Sequence, residues 1–228
     1  MRASTTSSVL LGCGAIVIVA LLAFGTSGCN IVGPAAYFIE GPPKAPAKYN
    51  VPPGKIVVLV DDEDSRVSRV ALRTKIGDQI AETLVSEGVA TGAISTKDAV
   101  AWVRKHDKPG SRASLEEVGK AVGADVVIGI KMLDFKLSVD GVQPKPLAMA
   151  EVRGIDVRTN AVLFPEGAGW EPVETTMREV QPELYRTSVG RREIEDSVAV
   201  ALAEKIAWLF YEHEIVPIGK GVRGQARR

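Results

Sequence analysis

Residues 114–130 read SLEEVGKAVGADVVIGI and contain a complete helix-to-strand transition. Ser114 followed three residues on by Glu117 is the spacing of a capping box, in which hydroxyl and carboxylate each satisfy a backbone N–H that the first helical turn leaves free. The helix runs through Val122 and meets Gly123, the residue type that ends helices in the left-handed conformation. From Asp125 to Ile130 the chain is almost continuously apolar and rich in Val and Ile, which suits a strand covered on both faces.

Upstream, Lys55–Val60 (KIVVLV) is a run of the same kind and is expected to be the first central strand. The acidic turn Asp61-Asp62-Glu63-Asp64-Ser65 leads into Arg66–Glu87, where Val67, Val70, Ile76, Ile80 and Leu84 predict a helix closed by Gly88. Val89–Ile94 reads as a second strand, and Ser95 with Asp98 opens a short helix to His106, followed by a loop over Asp107–Ala113. Downstream, the pattern alternates from Lys131, with Leu133, Phe135, Leu137 and Val139 on one face and Asp134, Lys136 and Ser138 on the other. After the turn at Asp140-Gly141 come a strand at Ala148–Val157, a turn at Thr159-Asn160 and a third antiparallel piece at Ala161–Phe164. Pro165–Gly190 has no clear period, with Val173–Val180 as an edge strand, and Glu193–Glu212 is an amphipathic helix. The expected fold class is α/β, a mixed sheet with helices packed on it: strand-helix-strand-helix-helix-strand, then a β-meander and a long C-terminal helix.

The N-terminus sets the compartment. Arg2 is the one charge before Val9–Phe24, an uncharged apolar run, which is the pattern of a secretory signal. As a helix that run would span roughly 24 Å, less than the ~30 Å hydrocarbon core of a bilayer. Gly25-Thr26-Ser27-Gly28-Cys29-Asn30 follows and resembles a bacterial lipobox, with Thr26 where an aliphatic residue is usual. The resemblance implies cleavage before Cys29, a diacylglycerol on its thiol and an acyl chain such as palmitate on its amino group. Asn30 is not the aspartate of inner-membrane retention, which implies an outer-membrane anchor facing the periplasm. Cys13 falls in the removed part, so the folded domain has no thiol for a disulfide or a nucleophile. Four segments are expected: 1–28 a lipoprotein signal peptide, 29–54 the lipidated Cys29 and a proline-rich tether, 55–214 a single α/β domain, and 215–228 a basic flexible tail carrying Lys220, Arg223, Arg227 and Arg228.

Leu115–Ile130, Glu151–Leu163 and the C-terminal helix together resemble a lipoprotein-rich α/β superfamily. Its members include the curli-secretion lipoprotein, the lipoprotein activators of penicillin-binding proteins and the N-terminal domain of the Tol-system translocation protein. Its recurring features correspond here to Lys55–Val60, Val122–Gly129 and Val157–Asn160, with Asn160 where glycine is usual. The resemblance implies the fold and an envelope setting. The channel role found in that superfamily needs strands of about 9–11 residues with a lipid-facing apolar face. Gly167–Val180 carries Glu171, Pro172, Glu174, Arg178 and Glu179 and cannot supply one.

The charge balance, 28 Lys+Arg against 28 Asp+Glu, argues against nucleic acid as a partner. Asp61, Asp62 and Asp64 lie where open α/β sheets bind ligands. They read either as a Mg²⁺ site of a metal-dependent hydrolase or as carboxylates that solvate the turn and favour the next helix N-terminus. Gly219–Gly224 spells G-x-G-x-x-G but follows a helix, so it lacks the strand that a dinucleotide site requires. His213 has Glu212 and Glu214 as neighbours, which point to different sides, and His106 sits at a helix end. Ser-x-x-Lys, Gly-x-Ser-x-Gly and Walker A patterns are absent from the chain. Arg66, Arg69 and Arg73 fall at i, i+3 and i+7 and form a basic stripe, either a solvated face or a surface for an acidic partner. The expectation is a membrane-anchored, non-enzymatic assembly or regulatory factor that binds other envelope proteins, without cofactor or small-molecule substrate, and with the hydrolase as the alternative.

Overall fold

The computed structural model describes residues 42–108, 111–138, 141, 143–177 and 180–215. The chain divides between Lys44 and Ala45, and the fold belongs to the second unit. Strand β1 (Lys55–Asp61) lies in the sheet with β2 (Gly92–Ile94) parallel on one side and β3 (Val126–Lys136) parallel on the other. Helix α1 (Val70–Ser86) connects β1 to β2, and α2 (Thr96–His106) with α3 (Leu115–Val122) connects β2 to β3. The core residues of α1 belong to one cluster and those of α2 and α3 to another, so the two connections cover opposite faces of β1. That is why Ile56–Val60 is buried throughout and apolar without alternation.

Strand β4 (Leu147–Asp156) runs antiparallel to β3. Its far edge is shared by β5 (Val162–Phe164) and β6 (Glu171–Thr176), with Phe164 opposite Gly154 and Glu171 opposite Val152. β5 and β6 are therefore two pieces of one edge strand, interrupted by residues 165–170. Phe164 lies across Gly154, where an added Cβ would fall 2.0 Å from the ring. After the short α4 (Pro182–Arg186), the long α5 (Ser188–Ala207) joins α1 over the same face of the sheet.

The two faces are covered unequally. The cluster under α1 and α5 contains 28 buried residues and the cluster under α2 and α3 contains eight, because α2 and α3 reach only β1, the first half of β3 and the end of β4. Beyond them Lys131 is exposed, and Met149, Glu151 and Arg153 on β4 are half-buried.

The fold class is the one expected, and the Ser114–Glu117 capping box and left-handed Gly123 (φ 74°) are both present. The differences have local causes. Helix α1 begins at Val70 rather than Arg66, because the Asp62 carboxylate accepts the backbone N–H groups of Arg66 (2.7 Å) and Val67 (3.1 Å) and holds those residues in a turn. A bulge between Met132 and Asp134 resets the alternation, so Met132 and Phe135 share the buried face, Leu133 is only half-buried and the strand stops at Lys136. The edge strand occupies Glu171–Thr176 rather than Val173–Val180. Helix α5 starts at Ser188, where Thr187 accepts the Gly190 N–H (3.0 Å), and ends at Ala207 rather than Glu212.

Within the segment read as a tether, Tyr49 and Val51 pack against the main core. The Tyr49 ring stacks on Phe164 at 5.2 Å, its hydroxyl donates to Glu171 at 2.6 Å, and the Leu209 carbonyl accepts from the Lys48 and Tyr49 amides at 2.9 Å. Lys48 pairs with the same carboxylate. Burial alone would push the Glu171 carboxyl up, but the hydrogen bonds from Lys48 and Tyr49 outweigh it and hold it below its ordinary value of 4.5. A carboxyl depressed on folding stabilises the fold fully above the unfolded value and loses that contribution as pH falls through the folded one. Glu171→Gln is expected to lower stability by about 1 kcal/mol at pH 7. Denaturant titrations should show the gap from wild type closing as pH falls below 4.5; a gap constant between pH 7 and 3 would show that the charge of Glu171 is immaterial.

Candidate functional site

The connection through α1 leaves β1 on one face and the connection through α2 and α3 returns on the other, which makes the carboxyl end of β1 a topological switch point. A groove of about 510 Å³ opens there. Its carboxylates are all engaged within the protein. Asp62 is 6% exposed and spends both oxygens on backbone N–H groups. Asp61 and Glu63 pair with Arg112 at 2.9 and 3.0 Å, and Asp107 accepts the Ala113 N–H at 2.8 Å. Asp61 is the main cause that raises Arg112 above its ordinary value.

Two other arginines reach the groove, Arg73 from α1 and Arg104 from α2. Neither forms an ion pair among the described residues, and the Arg73 Nε is buried without an acceptor. A second hollow of about 340 Å³ adjoins the first and shares Ser114, Leu115 and Trp170 with it. Its flank is Arg153 on β4, and the Arg153 Nε is also buried without an acceptor. These two nitrogens are the buried side-chain polar atoms left unpaired among the described residues, and each lines one hollow. Leu115 occupies the space over Gly129, where an added Cβ would meet its Cδ1 at 2.7 Å, so the glycine is what lets the leucine seat on the sheet between the hollows.

The residues singled out from the sequence are dispersed. Asp61, Asp62 and Asp64 turn to Arg112, to the backbone and to Arg66 respectively, and no metal-holding group of three such side chains exists among the described residues. Arg66 precedes α1 and pairs with Asp64, Arg69 immediately precedes α1 and turns its side chain to Glu195 and Asp196, and Arg73 enters the groove, so the three do not form one stripe. His106 stacks on Trp102 at 4.2 Å and His213 on Trp208 at 4.7 Å, far from convergence on a metal. Cys29, the Gly219–Gly224 run and the basic residues Lys220, Arg223, Arg227 and Arg228 lie outside the described residues. Sequence reading missed Arg104, Arg112, Arg153 and Trp170. Trp170, the one tryptophan of the aperiodic stretch 165–190, was the available signal.

Arg69 is a clamp. Its Nε donates to Glu195 at 2.8 Å and a terminal nitrogen to Asp196 at 2.9 Å, both on α5, while the Ser68 hydroxyl also donates to Glu195 at 2.8 Å. The guanidinium side chain is 33% exposed, which screens the pair, so Arg69→Ala is expected to cost about 1 kcal/mol. Arg66→Ala, with its side chain 46% exposed against one carboxylate, is expected to cost less than about 0.5 kcal/mol. Chemical denaturation of the two variants checks the order, and equal losses would remove the clamp.

No protein-family model and no curated protein matches the sequence. Solved structures do resemble it. The PelC dodecamer from Paraburkholderia phytofirmans is 18% identical with a TM-score of 0.38, the match covering 75% of this chain and 94% of that one. Lipoprotein GNA1162 from Neisseria meningitidis is 15% identical with a TM-score of 0.34, covering 64% and 91%. The LpoB C-terminal domain from Salmonella enterica is 12% identical with a TM-score of 0.27, covering 59% and 86%.

Proposed function

We propose that this chain is a lipid-anchored envelope protein that acts without catalysis, as an assembly or regulatory factor, by receiving another envelope protein on the concave face around Leu115 and Trp170. The observation that carries the reading is the pair of buried, unpaired guanidinium nitrogens of Arg73 and Arg153 on either side of that apolar border. A buried donor without an acceptor costs about 1–3 kcal/mol. Two such donors lining adjoining hollows are a cost that a bound partner can offset by reordering or completing their surroundings. The apolar border adds area of the kind that anchors protein interfaces.

The sequence supports the location. An apolar leader ending in small residues before Cys29 is read as a signal peptide and lipidation site in an outer membrane, with the domain facing the periplasm. From Cys29 to the packed Tyr49 is about 20 residues, a reach of at most roughly 70 Å. A tether of that length keeps the domain at high local concentration for neighbours in the same layer, so a modest interface suffices. More than one acyl chain is what makes such anchoring stable.

Two measurements test the reading. Cys29→Ser is expected to abolish the added lipid mass and to leave the protein soluble or as uncleaved precursor, and a wild-type mature form of unlipidated mass would overturn the anchor. A photoreactive residue in place of Trp170 is expected to capture an envelope protein in cells, whereas the same residue at Val200, 39% exposed on α5, is not. Equal capture at both positions would remove the concave face as the interface.

A further inference from the structure

We infer that Tyr49 is a positioning residue for the partner surface: it holds both ends of the segment 165–170 and thereby keeps Trp170 against Leu115, so that drawing Lys48–Val51 off the core loosens the surface that receives the partner. The inference rests on the protein-binding reading above and adds the regulation of that same site.

The geometry starts from the interrupted edge, where β5 ends at Phe164 and β6 begins at Glu171. Tyr49 touches both residues. Its ring stacks on Phe164 at 5.2 Å and its hydroxyl donates to the Glu171 carboxylate at 2.6 Å. Lys48 pairs with the same carboxylate, and the Lys48 and Tyr49 amides both donate to the Leu209 carbonyl at 2.9 Å, just beyond α5. Phe164 in turn is fully buried, lies across Gly154 and meets Phe210 edge-on at 4.8 Å. One side chain, tied through its backbone to the end of α5, thus bridges the two residues between which the edge strand is broken.

Little else holds the chain between those ends. Among the described residues, 165–170 make no backbone hydrogen bond outside the strands, 166–169 are exposed, and Gly167 takes φ 88°. At its start, β5 is three residues long and its register with β4 is broken by an irregularity, so pairing alone is a weak hold there. A segment with so few contacts of its own is ordered through its ends. Trp170 directly precedes the held Glu171, is half-buried, and borders both hollows beside Leu115. Tyr49 packs in the core under α1 and α5, so it acts on that surface without entering either hollow. A partner that needs Trp170 seated binds in proportion to the fraction of molecules in which it is seated. By linkage, the bound partner tightens the docking of Tyr49 by the same factor.

The test labels the full chain, in detergent, with 5-fluorotryptophan and assigns the Trp170 fluorine line by Trp170→Phe. The change in that line between light and heavy water reports the exposure of the ring. Tyr49→Ala is expected to raise the solvent effect on Trp170 about twofold and to leave the Trp102 line, on α2, unmoved. Arg69→Ala removes the clamp between α1 and α5 and is expected to leave Trp170 unmoved, which separates positioning from a general loss of stability. Tyr49→Phe keeps the ring on Phe164 and loses the bond to Glu171, so it is expected to move the line in the same direction by less. In cells, capture from a photoreactive residue at position 170 is expected to fall about fivefold with Tyr49→Ala and to stay unchanged with Arg69→Ala.

A Trp170 line that Tyr49→Ala leaves in place, or that Arg69→Ala moves as far, would overturn the inference, as would capture at wild-type yield from the Tyr49→Ala chain. Where Tyr49→Ala does not fold, Tyr49→Phe decides, and an unmoved line in that variant removes the hold on both ends. These failures leave the protein-binding reading standing. Absence of specific capture by the wild type instead removes that reading and the regulation with it, while the fluorine line still decides whether Tyr49 positions Trp170.

Discussion

Two parallel strands in the middle of a sheet are stable only when both faces are kept from water, and this chain meets that demand with helices of very different length. On one side α1 and α5, 17 and 20 residues long, cover β1, β3 and β4 together. On the other α2 and α3, 11 and eight residues long, cover the parallel pair and little more. The groove, the second hollow and the half-exposed side chains of β4 all follow from that shortfall. The candidate site is therefore where the sheet's cover ends, and it coincides with the switch point because the same two connections create both.

The acidic turn after β1 shows how structural demands decide what is left for binding. Asp62 must accept two amides to turn the chain toward α1, and Asp61 with Glu63 fixes Arg112 across the mouth of the groove. Carboxylates that looked available for a cation are consumed in shaping the rim. Arginines divide the opposite way. Arg69 and Arg112 are used by the fold, and Arg73, Arg104 and Arg153 are not.

How much of this was legible in the sequence depended on whether the determinant was local. The cap, helix, glycine and strand at residues 114–130 are fixed by neighbours within a few positions, and the structure has them as read. The start of α1 depended on side-chain bonds from Asp62, four and five positions back, which a spacing of apolar residues does not register. The bulge at Met132/Asp134 separated Leu133 from the buried face that Phe135 keeps, without leaving any turn residue as a mark. For the site, position was legible and membership was not. The carboxyl end of β1 could be named because strand order implies it, whereas Arg69 and Arg73 look identical on a helical wheel and differ only in whether α5 brings Glu195 and Asp196 within reach.

One adjacency joins the packed N-terminal segment at Lys48 and Tyr49 to the candidate surface. Glu171 holds Lys48 and Tyr49, the packed end of the segment that leads back toward Cys29, and Trp170 beside it borders both hollows. Here Tyr49 stacks on Phe164 within the larger core, whereas Trp170 faces Leu115 on the other side. The segment that leads back toward Cys29 thus meets the domain on the face covered by α1 and α5, and the groove opens beside the face that α2 and α3 leave incomplete. A partner seated over Leu115 and Trp170 therefore has no need to displace Tyr49, and the contact of Tyr49 with the core and the surface proposed to receive the partner can be occupied at the same time.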